Sequence, residues 1–514
     1  MPKKSLVAMA LALVLFMGFP QAVFSDDSDE DTGISVTDLM DTNWFMHVLV
    51  SGDAPDESPR WIWSGLQCSK LSEEAIYFYT TSKDPVAYDP EPYTPAYLVP
   101  SEFNDDGTFK TAPEENALLN PYSFGVVGPD EKFIVFAGSD VTENRIFFKG
   151  NALGLMIRRD ADCATYSGTT TEDGLDSGTT LLDYRLKEYD DDYFVGWTVT
   201  ITSGECAGQT FPVTGFSVTS DYLEAGTLKN GYGTLTVATG FSSQILAGVT
   251  YVLEPYAQAD LEGSWYGVEV VSGDAASGDE PRVSYGWLDI GSDGTATGVW
   301  TVVSGAGTYT TTYDDTFVMK ANGLIARANS TDLTATMSDD KTLIVMNDTQ
   351  SYGSVLRVLS KRTDADFSLS DLEDSWFTYG IVTGDAASGA VPRWEYGTTA
   401  ISSAGAYSMT VTESSADAFT GVQRTGVFSM DAQGIVTGSN GMLHGDGNLM
   451  FLVKADSETL GYAFTVYVRD TFVSSDDEDE DEDEEEDSTD EETDTTKTLD
   501  TSGSGGCFIK SLLC

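Results

Sequence analysis

The chain has 514 residues, with 83 Asp plus Glu against 27 Lys plus Arg and a formal charge of -56. That field repels phosphate backbones and argues against a nucleic-acid partner. With 41% hydrophobic residues and 11% aromatics the composition can fill packed cores in several modules, while two histidines, His47 and His444, leave little material for histidine metal sites or Ser-His-Asp catalysis.

Lys3 and Lys4 precede an apolar run from Leu6 to Phe19, followed by Pro20 and Val23-Phe24-Ser25 before Asp26. Residues 1–25 read as a cleavable secretory signal. The run is shorter than the roughly 20 residues a spanning helix needs, and no later segment qualifies, so no transmembrane helix is expected after signal removal. Residues 26–37 form an acidic linker. Within it Asp27-Ser28-Asp29-Glu30-Asp31 superficially resembles an ion loop, but Gly33 is one place late for an EF-hand and no Glu stands at position twelve. No cofactor or metal site is therefore expected, beyond weak calcium binding by acidic loops.

Residues 38–161 are the first of three repeats. It carries Asp38-Leu39, Trp44, Gly52-Asp53 and Pro59-Arg60, and ends on the runs Phe133-Ile134-Val135-Phe136 and Leu155-Met156-Ile157-Arg158-Arg159. Such β-branched and aromatic runs, split by Gly, Asp and Asn, predict strands joined by tight turns. His47 follows Trp44 closely, but Val268 and Tyr379 stand at the matching positions of the other repeats, which argues against repeated histidine catalysis. Cys68 has no identifiable base and reads as a free thiol.

Residues 162–256 differ. They run Gly196-Trp197-Thr198-Val199-Thr200-Ile201-Thr202-Ser203-Gly204, Ala207-Gly208-Gln209 and Ala247-Gly248-Val249-Thr250-Tyr251. This pattern resembles a small β module that recurs in bacterial and phage surface proteins. The spacing of Trp44 and Trp265 makes a decayed fourth repeat conceivable, but the repeat's marks are missing and a separate module is preferred. Cys163 and Cys206 fall inside it and are the disulfide candidates of an exported chain.

The second repeat, 257–363, opens on Asp260-Leu261-Glu262-Gly263-Ser264-Trp265, passes Gly273-Asp274 and Pro281-Arg282, and ends on Leu343–Met346 and Val355–Ser360. About nine short strands are predicted, including separate ones at Thr308–Tyr313 and Phe317–Ala321; sequential hairpins of this number close most easily into an up-and-down barrel. The opening Gly263-Ser264-Trp265 resembles the Gly-x-Trp of lipocalin-like, or calycin, barrels, although Thr42 and Asp374 replace the glycine in the other repeats. The resemblance implies that Trp44, Trp265 and Trp376 plug the closed ends and that the cups take small apolar ligands. Trp287, Trp300 and Tyr309 are the candidate lining of the second cup. Gly-Asp and Pro-Arg shape a long first loop, with Arg282 and Arg393 able to pair with nearby carboxylates.

The third repeat, 368–473, matches the second from Asp371-Leu372 and Trp376 through Gly384-Asp385 and Pro392-Arg393 to Leu449–Val453 and Phe464–Arg469. His444, in the polar turn Leu443-His444-Gly445-Asp446-Gly447, reads as a surface residue. Residues 474–502 are a disordered acidic spacer, with an unbroken acidic run from Asp476 to Asp487. In 503–514, Gly505-Gly506-Cys507-Phe508-Ile509 resembles C-terminal sequences of some secreted bacterial proteins suspected of acting in sorting, and Cys507 is the attachment candidate.

The expected fold is all-β: three antiparallel up-and-down, lipocalin-like barrels, one small β module and a disordered acidic tail. No G-x-S-x-G elbow, H-E-x-x-H helix, phosphate loop or nicotinamide fingerprint occurs, so no catalytic residue is named. The expected function is non-enzymatic binding or adhesion by an exported, surface-displayed protein, secreted or outer-membrane associated, with repetition supplying avidity. Its partner would be a small apolar ligand, a glycan or a surface protein. The alternatives are an extracellular carboxylate-dependent polysaccharide hydrolase and a structural surface-layer component.

Overall fold

A computed structural model describes residues 42–470 apart from 52–59, 73–74, 84–101, 105, 112–121, 140–149, 160–164, 176, 225–226, 273–280, 329–332, 351–352, 364, 385–388 and 457–460. Throughout these residues the β-branched and aromatic runs form antiparallel strands, and the only helical pieces are short 3-10 turns. No helix among them is long and apolar enough to cross a membrane.

The first repeat contributes β1 (Asn43–Ser51), β2 (Arg60–Ser72), β3 (Ala75–Lys83), β4 (Glu102–Phe103), β5 (Thr108–Thr111), β6 (Tyr122–Val127), β7 (Phe133–Ser139) and β8 (Asn151–Arg159). They make one curved sheet in the order β3-β2-β1-β8-β7-β6-β5-β4, which the described residues leave open between β3 and β4.

The module holds β9 (Tyr166–Thr169), β10 (Thr180–Asp183), β11 (Thr198–Ile201), β12 (Thr210–Thr219), β13 (Tyr222–Glu224), β14 (Thr227–Lys229), β15 (Tyr232–Val237) and β16 (Thr250–Glu254). Its sheet order, β10-β15-β12-β11-β16-β9, is not the sequential meander of the repeats, and β13 and β14 form a separate hairpin. A bridge between Glu172 and Leu182 joins the sheet's two ends, so this unit too is nearly closed. Its core is aromatic, centred on the buried Phe194, Phe216 and Tyr251.

The second repeat is a closed barrel of β17 (Gly263–Ser272), β18 (Arg282–Ile290), β19 (Thr295–Ser304), β20 (Gly307–Met319), β21 (Leu324–Arg327), β22 (Leu333–Met337), β23 (Leu343–Gln350) and β24 (Gly353–Lys361). Eight strands replace the nine expected, because β20 runs unbroken through Asp314-Asp315. The acidic pair suggests a turn, but the Asp315 carboxylate is held by Arg327 at 2.7 Å and the ladder continues past it.

In the third repeat β25 (Asp374–Thr383), β26 (Arg393–Ile401), β27 (Ala406–Ser414), β28 (Gln423–Val427), β29 (Ser429–Met430), β30 (Ile435–Thr437), β31 (Gly441–Leu443), β32 (Leu449–Ala455) and β33 (Tyr462–Arg469) form one sheet with β28 and β29 at its ends. Only Phe428 separates those two strands. The Phe428 N–H donates to Gly405, as the Phe317 N–H donates to Gly294 in the second barrel, so this sheet is a barrel closed across a single break.

The repeated Asp-Leu-x-x-x-Trp phrase has a local physical cause. Asp260 and Asp371 each accept a backbone N–H at the start of a short 3-10 turn, from Ala257 and Ser368. The turn drops Leu261 and Leu372 onto the barrel floor, fully buried. The Trp265 and Trp376 indoles then donate to those leucine carbonyls at 2.9 and 3.0 Å. Lys361 and Arg469, across the last strand, lie over the two indoles at 5.3 and 4.6 Å. Trp44 is buried in the same place and donates to the Thr42 hydroxyl at 2.8 Å.

Besides the interior clusters of the second and third barrels, the three repeats share a core. The outward faces of β1, β7 and β8 meet those of β17, β23 and β24 and those of β25, β32 and β33 in one continuous apolar cluster. Phe133, Leu343 and Leu449 occupy matching positions in it, as do Val135, Val345 and Phe451. Each of these pairs of residues follows a turn of one design, in which Asp130, Asp340 or Asp446 accepts an N–H two residues on and Glu131, Lys341 or Gly447 takes a positive φ.

Polar ties are embedded in this interface. Asn347 donates to the Val48 carbonyl, which turns its Oδ1 toward His47 Nδ1 at 2.8 Å. Nδ1 of the imidazole therefore carries the proton and Nε2 accepts from the Thr336 hydroxyl at 2.9 Å. Burial lowers the His47 pKa to about 3, with the Arg159 charge adding to the effect. Arg159, 1% exposed, crosses from the first repeat to Asp339 at 3.0 Å and stacks on Tyr256. His444 is not a surface residue: its turn packs on the second barrel, where Ser360 and Thr342 hydroxyls meet its two ring nitrogens at 2.8 and 3.2 Å.

Two outcomes follow for stability. Phe451→Ala, at the fully buried centre of the shared cluster beside Phe133, should cost about 3–5 kcal/mol and lower a single calorimetric transition covering all three repeats; separate transitions would refute the shared core. Because His47 is neutral when folded and protonates with an ordinary pKa when unfolded, its contribution is full above about pH 6.5 and falls by about 1.4 kcal/mol per pH unit down to about pH 3. In His47→Gln, the loss of urea stability between pH 7 and pH 5 should shrink by about 2 kcal/mol.

Candidate functional site

Alternation along the strands turns every second residue of the second repeat inward. The lower half of the barrel is filled by Trp265, Leu288, Ile290, Phe317, Ile325 and Ile344 among other apolar side chains. Above them Gly267 makes room for an indole: a Cβ there would lie 2.5 Å from the Trp300 ring. Trp300 stacks on Tyr313 with centroids 5.6 Å apart, and the Arg357 guanidinium lies over both rings at 5.2 and 5.0 Å.

From this layer upward the interior is charged. Arg357 Nε donates to Glu269 Oε2 at 2.9 Å, Nη2 makes a second bond to the same oxygen, and Nη1 donates to the Tyr313 hydroxyl at 2.8 Å. Ser284 donates to Glu269 Oε1 at 2.7 Å. Burial opposes charge on Glu269, but Arg357, Ser284 and Arg282 outweigh it and hold the carboxyl below its ordinary range. Across the barrel Arg327 joins Asp315 at 2.7 Å and Asp348 at 2.9 Å. Burial pushes Asp348 upward despite the pull of Arg357 and Arg327.

Over these pairs lies a cavity of about 490 Å³, whose walls include Arg282, Ser284, Trp300, Tyr309, Gln350 and Arg357. The barrel is thus filled at its closed end and cup-like at the other. The cup is bordered by three arginines, by Glu269, Asp314 and Asp315, and by hydroxyl and amide groups.

Of the residues singled out as lining, Trp300 and Tyr309 border this cavity. Trp300 is 2% exposed and forms its floor, whereas Tyr309 is 41% exposed. Trp287 lies on the opposite face of β18, packed edge-on to Tyr266 in the shared cluster at 5.2 Å. Trp44, Trp265 and Trp376 are all buried within their repeats. Arg393 pairs with Glu395 and Asp456, and Arg282 faces the cup. Cys206 is a free, buried thiol 3.2 Å from the Ser243 hydroxyl, while Cys163 and Cys507 lie outside the described residues. The backbone of Cys68 sits in β2. No group of three or more His, Cys, Asp or Glu with metal-binding geometry occurs among the described residues.

Glu269, Arg327, Asp348 and Arg357 went unnoticed in the sequence, although two of them carry a signal. Glu269 interrupts Val268 and Val270, and Arg357 interrupts Leu356 and Val358. A lone charge within an apolar strand faces the opposite side from its neighbours, here a barrel interior.

No protein-family model matches the chain, and no curated protein matches it. A solved structure of a protein of unknown function from the DUF3598 family of Nostoc punctiforme aligns at 11% identity, covering 42% of this chain and 99% of that one, with a TM-score of 0.15.

The Glu269–Arg357 pair can be separated from the rest of the cup by a mutant cycle. Arg357→Met strands a buried carboxylate and should cost about 3–5 kcal/mol. Adding Glu269→Leu should recover most of that loss in urea unfolding; a double variant as unstable as the single one would show that the pair is not acting through mutual compensation.

Proposed function

We propose that the protein is a non-enzymatic binding protein and that the cup of the second barrel takes a small, hydroxylated polar ligand such as a sugar. The observation that carries this reading is the cavity of about 490 Å³ walled by Arg, Ser, Thr, Gln and Tyr side chains over a charge-paired floor. An apolar ligand fits poorly: it would strip water from the exposed lining residues Tyr309, Thr311 and Asp314 without replacing their hydrogen bonds. A polyhydroxylated ligand satisfies such groups directly, and Tyr309 offers a partly exposed ring beside it.

Export and display at a cell surface belong to the same proposal. They rest on the signal-like residues 1–25 and the glycine- and cysteine-bearing end 503–514. The shared core favours a single rigid body carrying the cup over a string of independent binding units.

A hydrolytic reading has one observation in its favour, since Glu269 and Asp348 are pushed in opposite directions within one barrel. Both carboxylates are nevertheless tied to arginines, an arrangement better suited to holding a wall than to transferring protons.

Titration calorimetry of the whole chain with a panel of mono- and disaccharides should give saturable binding that weakens at least fivefold in Tyr309→Ala. A long-chain fatty acid should give none. Saturable fatty-acid binding with no response to any sugar would overturn the polar-ligand reading, and release of reducing ends from a polysaccharide would favour the hydrolase.

A further inference from the structure

The wall of the second barrel is not hydrogen-bonded along its full height. β20 pairs with β19 from Gly307 to Thr316, but with β21 only from Phe317 to Met319. The Ala328 N–H donates to the Thr316 carbonyl, which puts the backbone groups of Thr316 on the β21 edge of the strand. These groups alternate between the two edges, and the β19 ladder has no register shift, so Thr308, Thr310, Thr312 and Asp314 aim their N–H and C=O groups at that same edge. Among the described residues no strand pairs with them there. The next donor down, the Thr316 N–H, is capped by Asp315 Oδ1 at 2.8 Å, and the Thr312 carbonyl has only a long contact of 3.5 Å with the Thr311 hydroxyl.

The edge is open on both faces as well. Every residue from Gly307 to Thr312 is exposed, while Trp300 and Val302 on the neighbouring strand are buried. The cavity has the same opening. β18 and β19 lend it alternate residues, Arg282 with Ser284 and Trp300 with Val302, but β20 lends the consecutive run Thr311–Asp315, as a strand does when its edge rather than its face borders a space.

Soluble proteins blunt such edges with lysine, proline, a bulge or a short strand. The third barrel does so: β28 is cut to Gln423–Val427, and ahead of it the 3-10 turn Asp417–Phe419 lays the Phe419 ring on the Arg393 guanidinium, 3.7 Å from its centroid. β20 has none of these devices. Its edge reads Thr308-Tyr309-Thr310-Thr311-Thr312-Tyr313, all strand-forming residue types, and no residue from Gly294 to Tyr313 is charged in a chain of which 21% is charged.

We infer that this edge joins a second copy of the chain, β20 to β20, antiparallel about a two-fold axis at Thr311. The strand is complementary to itself in that register. Thr310 stands opposite Thr312 of the partner subunit and Thr308 opposite Asp314 of the partner subunit, each a pair whose N–H and C=O groups meet. Inward, Tyr309 stands opposite the partner subunit's Tyr313, a cross-strand aromatic pair that covers a ring 41% exposed in the single chain. The two Asp314 carboxylates fall at opposite ends of the joint, about 20 Å apart at the rise of a strand. A second copy suits the edge better than a basic peptide, which would find no charge to meet before Asp314. The acidity of the two chains opposes association at long range, so salt strengthens it. None of this depends on what the cup binds.

Sedimentation equilibrium of the intact chain tests the joint. The chain should be dimeric in about 0.15 M salt and should dissociate at least about tenfold more readily near 0.01 M, where the repulsion is least screened. Thr312→Pro removes an N–H that the single chain does not use, and should give a folded monomer. Two double variants read the register. Thr310→Asp with Thr312→Asp sets like charges opposite one another and should weaken the dimer at least about tenfold, whereas Thr310→Lys with Thr312→Asp sets opposite charges together and should keep it. A parent chain that is monomeric at both salts, a dimer that survives both Thr312→Pro and the doubly acidic variant, or loss of the dimer in both double variants overturns the inference.

Discussion

The burial of three barrel walls against one another is the constraint on which the remaining structure depends. A barrel in isolation presents polar outward residues to water, and its strands alternate. Here β17, β24 and β25 are buried on both faces along almost their whole length, and β33 along most of it. That divides each repeat into a fixed half, made of the first and last strands, and a free half made of the middle ones. In the second barrel the free half is β19 and β20, where Val299, Thr310 and Thr312 face solvent and Trp300, Tyr309 and Tyr313 face inward. The cup thus has one wall anchored in the shared core, carrying Glu269 and Arg357, and one wall with no such anchor. The geometry of the anchored wall is thus fixed by packing within the chain itself.

The same packing explains the two histidines. Both stand at interfaces with the second barrel, His47 from the first repeat and His444 from the third, and both end on hydroxyl or amide partners rather than carboxylates. A buried imidazole bonded at both nitrogens fixes the angle between two sheets, since either bond is lost if the sheets slide by one residue. Their failure to recur among the repeats follows from geometry. Each ties a different pair of surfaces, so no common position could serve both.

Much of this architecture was legible. Strand content, the tight turns and the closing tryptophans follow from Asp260-Leu261 to Trp265 and its copies, because the capped 3-10 turn and the buried indole are local devices. The shared core was written in the sequence without being recognised. Phe133-Ile134-Val135-Phe136, Leu343-Ile344-Val345-Met346 and Leu449-Met450-Phe451-Leu452-Val453 are continuous apolar runs where a solitary barrel would alternate, and only a second buried face allows that. Trp287 shows the limit of residue type as a guide. It is aromatic and adjacent to the cup-lining β19, but its parity along β18 places it in the shared cluster. The break at Phe428, the unbroken β20 and the lid at Phe419 depend on side chains that meet across the barrel, which no window of sequence contains.

The divergence of the interiors is the reason a search for repeated chemistry finds nothing. Repeats that share a wall must conserve the residues facing that wall, and Val135, Val345 and Phe451 remain apolar for that reason. Inward positions are free of this restraint. The second and third interiors both bury arginine and neutralise it, yet the second barrel draws the carboxylate from β17 at Glu269 and the third from β26 at Glu395, with Gly380 and Ser284 at the vacated places. The two solutions are electrostatically similar and structurally different. Glu395 and Asp456 occupy the space above Arg393 and Phe419 covers it, so the third barrel uses its arginine for its own stability. In the second barrel Glu269 is instead taken up by Arg357 and Ser284. A single shift of a carboxylate from one strand to its neighbour thus changes which arginine it neutralises, Arg357 in the second barrel and Arg393 with Arg424 in the third.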